Sequence, residues 1–238
     1  MATALIHQNE GGVNNASPLT TPIYETTTFV FDSAAEVREY QEGKSARYLY
    51  SRYENPTVVA TERTLAAIES AEAAIVLSSG MAATSTALLG LLGAGDEVIC
   101  ASAIYGGTSH LITDLLIRFG VRARFPTLDE LRKDPESLFR QGDSARRVFW
   151  FESPNNPTLR CLDIAALAEA CRRHNVISVI DNTFASPCNQ VPLRHGVDLV
   201  MHSATKYLNG HSDVTGGVLA GPTRLIEQLR STRRLLGG

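Results

Sequence analysis

From residue 73 onward, short apolar runs alternate with amphipathic segments, and most of the runs lack the polar–apolar alternation of a half-solvated strand. "AAIVL" (73–77), "EVICA" (97–101), "RVFWFE" (147–152), "VISVID" (176–181) and "VDLVMH" (197–202) are the clearest. A strand apolar on both faces has to be covered on both faces, which a mainly parallel sheet between helices provides. "VRARF" (121–125) and "TGGVLAG" (215–221) complete the expected strands. The pattern predicts an α/β domain, and 238 residues suffice to bury a sizeable core.

Helices are expected between these strands. Asn55 offers an N-cap and Pro56 a first helical position, with Val58, Leu65 and Ile68 recurring at helical spacing. Further helices are predicted over 81–92, 107–118, 163–174 and 222–234, with helical stretches near 128–140. Residues 1–55 are rich in Thr, Asn, Gly and Tyr and read as an extended arm with one short helix near 33–42. Such an arm has no core of its own and is expected to lie on the body or on a second subunit. Residues 56–238 form the expected α/β domain.

Composition narrows the partners. A formal net charge of −3 with 20 % charged residues gives no electrostatic reason to expect nucleic acid or an acidic membrane. Cys100, Cys161, Cys171 and Cys188 form no C-x-x-C or zinc spacing and read as free thiols in a reducing compartment. "MATALIHQNEGG" lacks the layout of a secretory signal, and "MAATSTALLGLLGAG" is interrupted by Thr84, Ser85 and Thr86. The expectation is a soluble cytoplasmic protein without metal.

Ligands in such sheets gather beyond the carboxyl ends of the strands. After 73–77 comes Ser78-Ser79-Gly80-Met81, a small-residue turn opening a helix and suited to an anion. After 97–101 comes "AIYGGT", with the Tyr105 ring beside Gly106 and Gly107. "ESPNNPT" (152–158) is a stiff turn. Asp181 ends the strand 176–181, and Ser203-Ala204-Thr205-Lys206 follows 197–202. A lysine at such a place costs desolvation unless something uses it, and the chain has only three lysines, Lys44, Lys133 and Lys206.

An anion site, an aromatic face, a carboxylate and an amine are the parts that pyridoxal phosphate (PLP) asks for: a helix start for its phosphate, a stacking partner, an acid for its ring nitrogen and a lysine for its aldehyde. Lys44 in "EGKSAR" and Lys133 in "DELRKD" fit worse. No G-x-G-x-x-G opens a helix, "GKS" lacks the earlier P-loop glycine, no histidine pair has metal spacing, and Ser79 lacks a nucleophile elbow.

"YSRYENPT", "SSGMAA", "YGGT", "ESPNNPTL", "DNTFASP" and "HSATKYLNGHSDVTGG" together resemble the Cys/Met-metabolism (trans-sulfuration) family of PLP enzymes. Its members include cystathionine γ-synthase, cystathionine γ-lyase, methionine γ-lyase and O-acetylhomoserine sulfhydrylase. The resemblance implies the PLP-dependent transferase fold (aspartate aminotransferase-like, fold type I) and γ-replacement or γ-elimination on sulfur amino acids or O-acylhomoserine. It implies Lys206 as the covalent anchor and proton carrier, Asp181 at the pyridine nitrogen, and Tyr105 stacked on the ring. Ser79, Gly80, Met81, Ser203 and Thr205 are implied around the phosphate, and Asn156 near the phenolic oxygen. Tyr50 and Arg52 match a Tyr-x-Arg that reaches the phosphate of a neighbouring subunit, which implies a dimer with shared sites and a tetramer of two such dimers. Methionine γ-lyases typically carry a cysteine where this chain has Gly107, which leans toward the cystathionine types. Family members continue into a second, smaller domain that grips the substrate carboxylate, so the expectation here is a truncated chain, catalytically active or a remnant.

Overall fold

The computed structural model describes residues 18–140 and 146–238; the first part of the expected arm, residues 1–17, lies outside the described residues. Helix α1 (Ala34–Gln41) starts where the Ser33 side chain accepts the Glu36 N–H. Helix α2 (Pro56–Glu69) starts at Asn55, whose side chain accepts the Thr57 N–H. Then come β1 (Ala73–Leu77), α3 (Gly80–Leu91) and β2 (Glu97–Cys100). The expected single helix over 107–118 is instead three pieces: α4 (Gly106–His110), a π turn (Leu111–Leu115) and a 3₁₀ turn (Leu116–Phe119).

Strand β3 (Arg122–Arg124) follows. The helical stretches expected near 128–140 are α5 (Leu128–Lys133) and α6 (Pro135–Arg140), divided where Pro135 disfavours helical backbone at Asp134, whose φ is −158°. The remaining elements are β4 (Arg147–Glu152), α7 (Ile164–Arg173), β5 (Ile177–Asp181), the short α8 (Ser186–Asn189), β6 (Leu199–Ser203), β7 (Gly217–Gly221) and α9 (Thr223–Leu236).

The seven strands form one sheet in the order β1-β7-β6-β5-β4-β2-β3. Pairings from β3 through β6 are parallel, while β7 runs antiparallel to both β1 and β6. The sheet is therefore mainly parallel, as expected. Its two faces bury different sets. Ile75, Leu77 and Leu219 join the main core with Ala83, Ala87, Leu88 and Leu91 of α3, while Ala74, Val218 and Ala220 pack with Ala66 of α2. Trp150, Phe149 and Phe151 make β4 the fully buried centre.

Strand β1 stands at an edge, where unpaired backbone groups invite aggregation. Here side chains occupy them. Glu62 of α2 accepts the Val76 N–H at 3.0 Å, and Arg230 and Arg233 of α9 donate to the Ala74 and Val76 carbonyls at 3.2 and 2.9 Å. Glu62 joins Arg230 at 2.8 Å and Arg233 at 2.7 Å, so the edge is sealed by a buried ion triad. The described part of the arm rests on the start of α2: Asn55 donates to the Tyr24 carbonyl, and Tyr24 N–H donates to Thr57. No helix among the described residues is long and apolar enough to cross a membrane.

Candidate active site

Three strand ends build the floor of the site. Gly217 of β7 pairs with both Leu77 of β1 and Ser203 of β6, so the turns leaving β1 and β6 are held one strand apart. A side chain at position 217 has no room, since a Cβ there would lie 2.0 Å from the Ser79 carbonyl oxygen. After β1, the Ser79 side chain accepts the Ala82 N–H at 3.0 Å and caps α3. Gly80, the first residue of α3, faces Ser203: a Cβ at 80 would lie 2.8 Å from the Ser203 Cβ. The glycine keeps open the gap between the helix start and β6, where a helix presents free N–H groups and the positive end of its dipole.

A cavity of about 620 Å³ opens above these ends. It is lined by Ser79, Gly80, Met81, Tyr105 and Asn156, and across from them by Asp181, Ser203, Thr205 and Lys206. Nine residues singled out in the sequence thus share one cavity. Tyr50 and Arg52 do not line it. The Arg52 guanidinium lies over the Tyr50 and Tyr53 rings and donates to the Arg234 carbonyl at the end of α9.

Asp181 ends β5. Its Oδ1 accepts from both the backbone N–H and the hydroxyl of Thr183, and Thr183 in turn accepts the Ser203 N–H at 2.8 Å. Its Oδ2 has no hydrogen-bond partner among the described residues. Although its edge reaches the cavity, the surrounding protein removes most bulk water, and this desolvation raises the Asp181 pKa against the Thr183 hydrogen bonds and the pull of His202. A cation at the free oxygen would restore the ionised form.

One sequence expectation, that the lysine after β6 is desolvated, needs correcting. Lys206 is not buried: it lies exposed in the turn that follows β6 and lines the cavity. Its Nζ makes no hydrogen bond or ion pair among the described residues, whereas Lys44 pairs with Glu42 and Lys133 stands exposed on α5. The Thr205 hydroxyl, which lines the cavity, accepts the Gly216 N–H at 3.0 Å and faces its carbonyl at 3.3 Å.

Sequence reasoning gave no role to Glu152, the last residue of β4. It is buried, lines the cavity and pairs in register with Asp181. Its Oε1 accepts the Tyr105 N–H at 2.6 Å and its Oε2 the Asn156 N–H at 3.1 Å. Burial, and next the charge of Asp181, push its pKa up to about 7. An acidic residue ending an aromatic strand beside another strand-end acid was the available signal.

The Cys/Met metabolism PLP-dependent enzyme family matches residues 2–238. The chain belongs to that family. It is 38 % identical over 229 residues to L-methionine gamma-lyase of Pseudomonas putida, covering 96 % of this chain and 56 % of that protein. It is 37 % identical over 237 residues to the probable cystathionine gamma-synthase of Herpetosiphon aurantiacus, covering 99 % and 70 %. Among solved structures, metB from Corynebacterium glutamicum superposes with a TM-score of 0.89 at 36 % identity, covering 99 % of this chain and 59 % of that one. Cystathionine gamma-lyase from Lactobacillus plantarum, complexed with L-serine, gives 0.87 at 36 %, covering 99 % and 58 %. The chain thus spans a little over half the length of most of these relatives, and its fold is that of the PLP-dependent cystathionine enzymes.

The residues present fit the family's cofactor. Gly80 leaves a gap that any side chain would fill, and Asp181 has one oxygen without a partner. Tyr105 is 48 % exposed above the same cavity, free to stack on a flat ring.

Proposed function

We propose that this chain is the cofactor-binding part of an enzyme carrying out γ-replacement or γ-elimination on sulfur amino acids or O-acylhomoserine, of the cystathionine γ-synthase or γ-lyase type. The observation that carries this reading is the meeting, around one cavity, of an unpartnered lysine amine, a strand-end aspartate, a half-exposed tyrosine and an open helix start. PLP bound there supplies an electron sink for negative charge at the substrate's Cα. Under this reading Asp181 holds the ring nitrogen through its free oxygen, and Tyr105 covers the ring. The Gly80 and Met81 N–H groups and the Ser203 and Thr205 hydroxyls take the phosphate, with Ser79 fixing the helix start. Asn156 lies at the phenolic oxygen. Lys206 anchors the aldehyde and then moves the proton taken from Cα, for which a mobile amine with no competing partner is suited.

Residues 1–55 are proposed as an arm whose Tyr50 and Arg52 serve the site of a neighbouring subunit, and 56–238 as the large cofactor domain. The absence of both residues from their own cavity supports this. A guanidinium matches a phosphate in two-pronged fashion. The assembly is then a homodimer with shared sites, paired into a tetramer in a soluble, cytoplasmic enzyme.

Methionine γ-lyase or O-acetylhomoserine sulfhydrylase activity is the second reading. Gly107 favours the cystathionine types: a Cβ there would lie 2.5 Å from Tyr105 Cε1 and 3.1 Å from Met81 Sδ, so a cysteine displaces the tyrosine ring. A remnant that folds without chemistry is the third.

The test is borohydride reduction of the protein incubated with PLP, followed by peptide mapping. Label at Lys206 alone, lost with the visible absorbance band in Lys206→Ala, is the expected result. Label elsewhere, or no label, overturns the reading. Thiol exchange with O-acylhomoserine against thiol release from methionine then separates the first two activities.

A further inference from the structure

Two carboxylates stand side by side on one wall of the cavity, and the proposed chemistry uses only one of them. Glu152 and Asp181 are register partners on the parallel strands β4 and β5, so their side chains leave the sheet on the same face. Glu152 is 4 % exposed and spends each carboxylate oxygen on a different loop: Tyr105 after β2 and Asn156 after β4. These are the two residues assigned to the face of the ring and to its phenolic oxygen.

We propose that Glu152 is a positioning residue of the cofactor site, strapping the Tyr105 and Asn156 loops to the wall and taking the proton that lets Asp181 meet the ring nitrogen as an anion. This rests on the proposed cofactor reading. Like charges this close cannot both ionise cheaply in a desolvated wall, so the pair holds one proton near neutral pH. The groups around it make the assignment of that proton uneven. Asp181 is stabilised as an anion by two bonds from Thr183 and by the His202 imidazole behind it, which is hydrogen-bonded to Glu69. Glu152 has the Cys100 thiol near it and the Tyr105 and Asn156 N–H groups bonded to it, while Lys206 lines the same cavity without forming an ion pair with it. When a protonated ring nitrogen docks on Asp181, the pair's one proton is confined to Glu152 as the carboxylic acid and Asp181 meets the ring as the anion. No proton is gained or lost overall. The neutral acid keeps a lone pair on each oxygen for the two N–H donors.

Carbon-13 NMR of protein labelled at the glutamate side-chain carboxyls tests this, with Glu152→Gln assigning the resonance. In the cofactor-free protein Glu152 titrates near neutrality, and Asp181→Asn lowers its midpoint by about one pH unit or more. After loading with PLP, Glu152 stays protonated at pH 7. In Glu152→Gln the carboxamide accepts through one oxygen only, so amide hydrogen exchange at either Tyr105 or Asn156 speeds up about tenfold or more. An unchanged midpoint in Asp181→Asn, or an ionised Glu152 in the loaded protein at pH 7, overturns the inference. Should Glu152→Gln not fold, the Asp181→Asn titration decides alone. Failure of wild type to bind PLP at all would sink the cofactor reading instead, and the cofactor-free titration would still report on the pair.

Discussion

Asp181 carries a load that its neighbours divide. Thr183 donates twice to one of its oxygens and ties it to the end of β6, while Glu152 leans on it electrostatically from β4. In the cofactor-free protein the sign of the consequence is fixed. The folded-state pKa of Glu152 lies above its unfolded value of 4.5, so the fold binds that proton more tightly than the unfolded chain does. Its stabilising effect is complete below about pH 4.5 and disappears as pH rises through about 7. The unfolding free energy of the cofactor-free protein should fall over that range by on the order of 1–3 kcal/mol, lowering the denaturant midpoint, and Glu152→Gln should flatten the slope. A wild-type midpoint that climbs from pH 5 to pH 7 would contradict this. Most of the cavity wall was legible beforehand because it follows one rule, that small, aromatic and charged residues just past strand ends share a cleft. What escaped was relational. Register between β4 and β5 makes Glu152 a neighbour of Asp181, and only tertiary hydrogen bonding gives the Thr205 hydroxyl to Gly216.

The elements repeat this division between local and distant causes. Helix α2 begins at Asn55-Pro56 because capping is written within three residues, and α6 begins at Pro135 for an equally local reason. The π turn at Leu111–Leu115 has no such signature; its residues read as ordinary helix. The least local feature is the sealing of β1. Glu62 lies on α2 and both arginines on α9, more than 160 residues later. Glu62→Ala leaves Arg233 buried without its ion-pair partner, Arg230 with only Glu227 and Glu54, and two strand carbonyls facing loosened guanidinium groups. We expect a loss of about 3–5 kcal/mol in urea unfolding. Replacing Glu62, Arg230 and Arg233 together by apolar residues of similar volume should cost far less. If the single and triple variants lose equal stability, the triad is not what holds α9 to the edge.

At the scale of the whole molecule, the arm raises the question of whose site it serves. Arg52 has a partner within its own chain, the Arg234 carbonyl at the negative end of α9, and none in its own cavity. If the arm completes a neighbour's site, defects on two subunits can compensate. Subunits bearing Lys206→Ala and subunits bearing Arg52→Ala should each hold PLP poorly, while hybrids formed by unfolding and refolding the mixture should regain about one intact site per dimer. Recovery is read as the visible band after dialysis. No recovery would mean that the arm acts within its own subunit.

Strand order also sets a timetable. The last strand in the chain, β7, is wedged between the first and the sixth, and through Gly217 it spaces the turn that starts α3 from the turn that holds Lys206. A nascent chain lacking residues 217–221 owns every residue assigned to the cofactor but not the strand that spaces their turns. Cofactor capture is therefore expected only once β7 has paired with both neighbours.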